Sequence, residues 1–235
     1  MMHSLSYGTD ELNFALHRRK RKTMAIHVRP DMSVEVVAPL GVDLDRVYER
    51  VKKRAHWILE KINFFKQFYP RKTERLYEAG ETYLYLGQQY RLKIQQSVKA
   101  GVSISDKFIL LDTHYPNKKS ITKELLETWF IKCAKEQFKE RLKVVLGNFP
   151  EPELVTPKGM IIRSLSSRWG SMSSRGSMTL NSKLIHASIE CIDYVITHEL
   201  CHRIYFNHSK EFWVLVERAM PDWKERKRKL ELELC

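Results

Sequence analysis

Cysteine is scarce in this chain, and its four cysteines form no CxxC pair. In a reducing compartment this scatter predicts four free thiols, at Cys133, Cys191, Cys201 and Cys235. Long apolar runs are also missing. The longest, such as Phe108 to Leu111, are far shorter than the roughly 20 residues that span a bilayer. We therefore expect no membrane-spanning helix.

Acidic residues are few compared with basic ones: 28 Asp and Glu stand against 41 Lys and Arg, for a net charge of +13. Such an excess attracts polyanions, whether nucleic acid, an acidic membrane surface or an acidic protein. Much of it lies in two runs, Arg18 to Lys22 and Lys224 to Lys229. A solvated surface that aids solubility explains these runs equally well. The first residues lack the basic and apolar regions of a signal peptide, which predicts a cytoplasmic protein.

The remaining composition is that of a globular chain, with 43% hydrophobic residues. Alternation over residues 23–38 predicts a β-hairpin. Three- and four-residue spacing from Asp43 to Phe68 predicts a helix that Pro70 ends. Four short strands are expected over residues 81–112, followed by a helix to about Leu146.

A proline-bearing loop then separates a β-rich front part, residues 1–150, from a back part, residues 151–235. One continuous domain over about 21–230 is the alternative division. In the back part, Ser177 to Leu180 predicts a strand, and a helix with a buried face begins near Ser188. No internal repeat is visible. The pattern as a whole predicts an α+β fold.

The strongest chemical signal is His198-Glu199-Leu200-Cys201-His202, an HExxH pattern. Four-residue spacing puts both imidazoles on one helix face, so both can reach a single ion. Glu199 is the next residue round the helix and can act as a general base without being a ligand. Zinc lowers the pKa of water from about 15.7 to near 7 and polarises a carbonyl, which suits hydrolysis. Cys201 projects about 100° away from His202 and is interpreted as core packing.

A third ligand is available in His208, six residues after His202. On a continuing helix it would lie about 240° round and about 9 Å along, so the helix must end first. Asn207 suits the break because asparagine tolerates the left-handed conformation, and Ser209 can N-cap a new helix. Three downstream acids are rival third ligands: Glu211, Glu217 and Asp222. We favour His208 over them.

Several short motifs accompany the histidines. They are Asn207-His208-Ser209, Phe212-Trp213 and Met220-Pro221-Asp222 downstream, with Ser167-Arg168-Trp169-Gly170-Ser171, Leu180-Asn181 and Leu184-Ile185 upstream. In combination with HExxH they closely resemble the YgjP-like metallopeptidase family over nearly the whole chain. That family is similar to the SprT-like and WLM proteases, some of which act on proteins attached to DNA.

The resemblance implies a zincin-like catalytic lobe, with zinc held by His198, His202 and His208 and with Glu199 as catalytic acid/base. Two positions depart from the expected patterns. Met172 stands where the family usually has cysteine, and Tyr205 stands where some other HExxH proteases have glycine.

Peptide-bond hydrolysis also needs a donor for the developing oxyanion. Tyr205, Arg168 and Tyr194 are candidates, and the sequence does not choose among them. The stretch Gly176 to Leu180 is either an edge strand that pairs with an extended substrate or an ordinary core strand.

The leading hypothesis is thus a zinc metallopeptidase that acts on a protein or peptide substrate. The alternative is a DNA-associated protease, or a nucleic-acid-binding module with a zinc site, which the basic surface would serve. A purely structural zinc domain is less favoured, because such sites are closed by four ligands and only three are evident.

Overall fold

The computed structural model describes residues 2–8, 10–29, 31–66, 75–166 and 168–234, apart from the side chain of Phe64. Pro70, Ser167 and Cys235, which figure in the sequence predictions, lie outside the described residues. The fold is α+β, as predicted, and divides into two compact units. The N-terminal unit covers Met1–Thr73, and the C-terminal unit covers Glu74–Leu234. None of the described helices is long and apolar enough to cross a membrane.

The N-terminal unit is a four-stranded sheet followed by two helices. Its strands are β1 (Met2–Tyr7), β2 (Asp10–Arg19), β3 (Ala25–Val28) and β4 (Val34–Pro39), and its helices are α1 (Leu44–Lys53) and α2 (Ala55–Lys66). The strand order is β1-β2-β4-β3, with β2 and β4 parallel and the outer pairs antiparallel. The hairpin predicted over residues 23–38 is therefore confirmed.

Alternating residues of β2 and β4 and one face of the helices form the core of this unit: Leu12, Phe14, Val34, Val36, Ala38, Val47, Val51, Ala55 and Ile58. The single helix predicted from Asp43 is instead two, with a turn at Arg54. Strands β1 and β2 were not predicted.

The C-terminal unit begins with the same strand order. Its strands β5 (Thr82–Tyr85), β6 (Gln88–Gln96), β7 (Gly101–Ser105) and β8 (Phe108–Thr113) are followed by α3 (Lys119–Leu146). The order is β5-β6-β8-β7, again with a parallel central pair and antiparallel outer pairs. A repeat of topology is thus present where the sequence shows none, because strand order follows from pairing and turns and different side chains can satisfy both.

The rest of this unit combines a small sheet with further helices. Its elements are α4 (Pro152–Val155), β9 (Gly159–Arg163), β10 (Gly170–Met172), β11 (Ser177–Asn181), a 3₁₀ turn (Ser182–His186), α5 (Ile189–Cys201), α6 (Lys210–Ala219) and α7 (Trp223–Leu234). The strand order is β10-β11-β9. The stretch Gly176 to Leu180 is therefore a central strand and not an edge; the edge nearest the histidine helix is β10.

One hydrophobic core runs through the C-terminal unit. Leu92 and Ile109 of the first sheet, Phe138 of α3 and Ile196 of α5 belong to the same buried cluster. The unit boundary at Thr73–Glu74 accordingly differs from the division expected at residue 150. The prolines near residue 150 lie in a loop, but the residues before and after that loop share one hydrophobic core. Packing, and not the loop, decides which residues form a compact unit.

Candidate metal centre

Helix α5 carries His198 and has His202 at its C-cap, and the core surrounds the helix almost completely. Ser188 occupies its N-cap position, and every residue from Cys191 to Cys201 is buried except His198. A helix so enclosed cannot shift without disturbing the core. The side chains of its last turn are therefore held in fixed positions.

The helix ends at Cys201, before His208, as the ligand hypothesis requires. The turn is closed by the backbone N–H groups of Ile204 and Tyr205, which donate to the Cys201 carbonyl at 3.1 and 3.0 Å. Asn207 does not have a positive φ. The prediction of a left-handed break at that residue is wrong, because this turn at the end of α5 already reverses the chain.

The reversal brings all three histidines together. One ligand atom from each of His198, His202 and His208 lies within 4.8 Å of the others. The Nε2 atoms of His198 and His208 are 3.1 Å apart. Two nitrogens bound to one tetrahedral zinc at about 2.0–2.1 Å lie about 3.3 Å apart, so the spacing of this pair fits the ion.

Neighbouring groups orient the rings. The Nδ1 atom of His202 lies 2.8 Å from the Tyr205 carbonyl, so as an N–H it donates there and leaves Nε2 free for the ion. The Phe212 ring contacts all three imidazoles, with centroid distances of 5.0, 4.5 and 4.9 Å. Phe212 thereby packs against all three imidazole rings.

The environment favours the neutral form of His198 and His208. Burial, together with the neighbouring histidines, lowers the pKa of His198 to about 3. Burial also lowers the pKa of His208. A neutral imidazole presents the lone pair that a metal needs, so these two side chains are suited to bind a cation.

Glu199 lies beside this cluster and is 5% exposed. Burial raises the pKa of its carboxyl group to about 7, while Arg168 and the Met172 backbone N–H oppose the rise. Its Oε2 is buried without a hydrogen-bond partner among the described residues. A carboxyl group with a pKa near neutrality can both accept and return a proton.

The structure gives a reason for the glycine in the upstream motif Arg168-Trp169-Gly170-Ser171. A Cβ at this position would lie 2.7 Å from Cγ and Oε1 of Glu199. Strand β10 thus passes so close to the glutamate that only glycine fits. The sequence alone gave no reason for this residue.

Asn181 holds the loop that leads to β10, a role that sequence reasoning missed. Its Nδ2 donates to the carbonyls of Leu165 and Arg168, both at 3.0 Å, and its backbone N–H donates to Trp169 at 2.8 Å. The side chain is 3% exposed. A polar residue at the end of an apolar strand was the available signal.

The three oxyanion candidates lie in different places. Tyr194 is buried one turn before His198, with their rings 6.0 Å apart. Arg168 is exposed but close enough to Glu199 to affect its pKa. Tyr205 lines a pocket with α6 residues such as Val214 and Arg218, and no histidine lines that pocket.

The rival acids are not gathered at the cluster. Glu211 is exposed, and a hydrogen bond from Ser209 lowers its pKa. Glu217 is exposed as well. Asp222 accepts a 2.8 Å hydrogen bond from Arg226. Among the described residues, the one group of three or more potential ligands consists of the three histidines.

A family model supports the interpretation of the motifs. The YgjP-like metallopeptidase domain matches residues 22–233 of the chain. The chain belongs to the YgjP-like metallopeptidase family. The match begins after β2, extends through the remainder of the N-terminal unit and nearly all of the C-terminal unit, and includes every candidate site residue.

Other comparisons add less. The crystal structure of the metallopeptidase zymogen of Pyrococcus abyssi abylysin is similar to part of the chain, at 24% identity and a TM-score of 0.34. That likeness covers 43% of this YgjP-like chain and 94% of the other. No curated protein matches the chain significantly.

Proposed function

We propose that this YgjP-like protein is a zinc-dependent peptidase in which His198, His202 and His208 hold the ion and Glu199 is the catalytic base. The observation that carries the proposal is the convergence of three imidazoles, with ligand atoms within 4.8 Å of one another, next to a buried carboxyl group. Three protein ligands leave one position open for water, as catalytic zinc sites require.

Bound zinc supplies Lewis-acid polarisation of the scissile carbonyl and acidifies water. Glu199 accepts a proton from the attacking water and then delivers it to the amine nitrogen that leaves. The Met172 N–H and the backbone at Gly170 fix the position of the carboxyl group during both transfers. Its raised pKa suits a group that must change protonation state twice.

Strand β10 is the element that we propose pairs with substrate. It is an edge strand, with β11 on its one paired side, and it carries the backbone that contacts Glu199. An extended peptide added to this edge would pass the carboxyl group. We favour Tyr194 and Arg168 over Tyr205 as oxyanion donors, since the first two lie beside His198 and Glu199.

The test combines metal analysis with a proteolysis assay on an unfolded protein. Wild type and Glu199→Gln should each bind one zinc ion, because the substitution leaves the three imidazoles intact, but only wild type should hydrolyse. Glu217→Gln is the matched control, since Glu217 is exposed, and it should retain activity. Hydrolysis by Glu199→Gln at the wild-type rate would remove the proposed mechanism.

The nucleic-acid alternative has no specific observation in its favour. In the second basic run, Arg226 pairs with Asp222 and lies 3.9 Å from Asp193, and Lys229 pairs with Glu190. Lys224, Lys227 and Arg228 of the same run are exposed. Exposed lysine and arginine are ordinary on protein surfaces and do not by themselves indicate a phosphate-binding site. The peptidase proposal therefore stands alone.

A further inference from the structure

The N-terminal unit contains a pocket that the proposed chemistry does not use. It has a volume of about 380 Å³ and lies where the edge strand β3 meets the helices. Six residues line it: Met24, Ala25, Ile26, Arg50, Arg54 and Trp57. The lining combines aliphatic groups, one indole and two guanidinium groups.

The two guanidinium groups have no acidic partner. Arg50 and Arg54 are exposed and lie one turn apart at the end of α1. In the part of the chain that the structure describes, neither side chain makes an ion pair or a hydrogen bond. Like charges at this spacing destabilise a helix slightly. An anionic group bound between them would relieve that repulsion and form charge-assisted hydrogen bonds.

The pocket is also lined by Ala25 and Ile26 of β3, which is an open sheet edge among the described residues. Strand β3 is the last in the order β1-β2-β4-β3. The Arg29 N–H, just after β3, points toward the β4 side and donates to Ser33 at 2.8 Å. Because successive N–H groups alternate along a strand, those of Ile26 and Val28 point to the open edge. Two main-chain donors at this spacing match the acceptors of an extended peptide.

We propose that this pocket binds an extended, acidic peptide segment. The segment adds to β3 as a fifth strand, and its carboxylates contact Arg50 and Arg54. A nucleic acid fits less well, since it offers no counterpart to a strand edge. Trp57 is also half-buried against the core of the N-terminal unit and is no open platform for stacking a base.

The proposal is tested by fluorescence anisotropy on the full-length chain at low salt. The probe is a labelled peptide of about ten residues in which valine and glutamate alternate, long enough to cross the edge of β3. Arg50→Gln/Arg54→Gln should weaken binding at least about tenfold, the effect of losing roughly one charge-assisted hydrogen bond. Lys52→Gln/Lys53→Gln is the matched control: it removes the same charge from the same helix, outside the pocket, and should change affinity less than about threefold.

Two competitors separate the strand-addition contact from charge alone. The same peptide with alternate backbone nitrogens methylated should compete poorly, since it cannot complete the ladder. Oligo-dT of equal charge should compete more weakly than the unlabelled peptide. Equal losses in both double variants, full competition by the methylated peptide, tighter binding of oligo-dT, or no peptide binding would each overturn the proposal. None of these readouts depends on zinc or on hydrolysis.

Discussion

The substitution Gly170→Ala tests whether the glutamate must occupy one position. A Cβ on this strand would meet Cγ and Oε1 of Glu199 at 2.7 Å and Cδ at 2.9 Å, whereas ordinary contact begins at 3.4 Å. The carboxyl group must therefore move by about 0.7 Å, the difference between 3.4 and 2.7 Å. Neither backbone yields easily, because β10 is paired with β11 and α5 is enclosed by the core.

The cost follows from the size of this displacement. Misplacing a catalytic group by about 1 Å lowers a rate about 100-fold. A shift of 0.7 Å should thus lower kcat by about 30- to 100-fold, equivalent to roughly 2–3 kcal/mol in the barrier. Overpacking should also lower the free energy of unfolding by about 1–3 kcal/mol. Zinc content should not change, because the new methyl group is directed at Glu199 and not at a histidine.

The assay is steady-state proteolysis with zinc content and thermal unfolding measured on the same samples. Gly159→Ala is the control: it lies on β9 of the same sheet, and an added Cβ would meet nothing within 4 Å. It should behave as wild type in all three measurements. If Gly170→Ala hydrolyses substrate at the wild-type rate while fully folded, the position of Glu199 does not limit the reaction and the reasoning fails.

Three further predictions concern stability and the support of the site. In the metal-free chain the Glu199 pKa is raised from 4.5 to about 7, so the folded form holds a proton that the unfolded form has released. The free energy of unfolding should fall by about 3 kcal/mol as pH rises across that interval, and urea titrations of Glu199→Gln should lack this slope. Arg141 donates to both oxygens of buried Asp193 at 2.8 and 2.7 Å, so Arg141→Ala should cost about 3 kcal/mol in chemical denaturation. Lys143→Ala, which breaks an exposed pair, should cost under about 0.5 kcal/mol, and equal losses would contradict the burial argument. Asn181→Ala removes the hydrogen bonds to Leu165 and Arg168 that hold the loop before β10. Kinetic assays should show a lower kcat with unchanged zinc content, and an unaltered kcat would show that this loop does not support catalysis.

The sequence predicted the parts of the site that depend on spacing along one element. The four-residue spacing placed His198 and His202 on one helix face, and the end of the helix before His208 was expected if that residue is a third ligand. Their roles as ligands stay a prediction. Strand β10 was not predicted, because it has three residues in a run of small polar ones and takes its strand geometry from β11. The reason for Gly170 was equally hidden, since it depends on a side chain 29 positions away in the sequence.

Long-range packing also decided the features that local signals misplaced. The prolines after Leu146 mark a true loop, yet the segments on its two sides share one core. Strand β2 pairs with β4 as far as Arg19. It was not predicted, because its last residues belong to the basic run that begins at Arg18, and charged residues are not typical of a strand. Local charge says little about pairing, because the partner strand lies about 20 residues further along the chain.

The two sheets share one strand order, and each is followed in the chain by a helix: α1 after β4 and α3 after β8. The surroundings of these two helices differ. Helix α3 is joined through Arg141 to α5 and the core, whereas α1 keeps a charged side exposed. Matching positions in the two copies should consequently differ in mutational tolerance. A deep scan would find charge reversal permitted on the exposed side of α1 except at Arg50, and selected against along the side of α3 that faces α5.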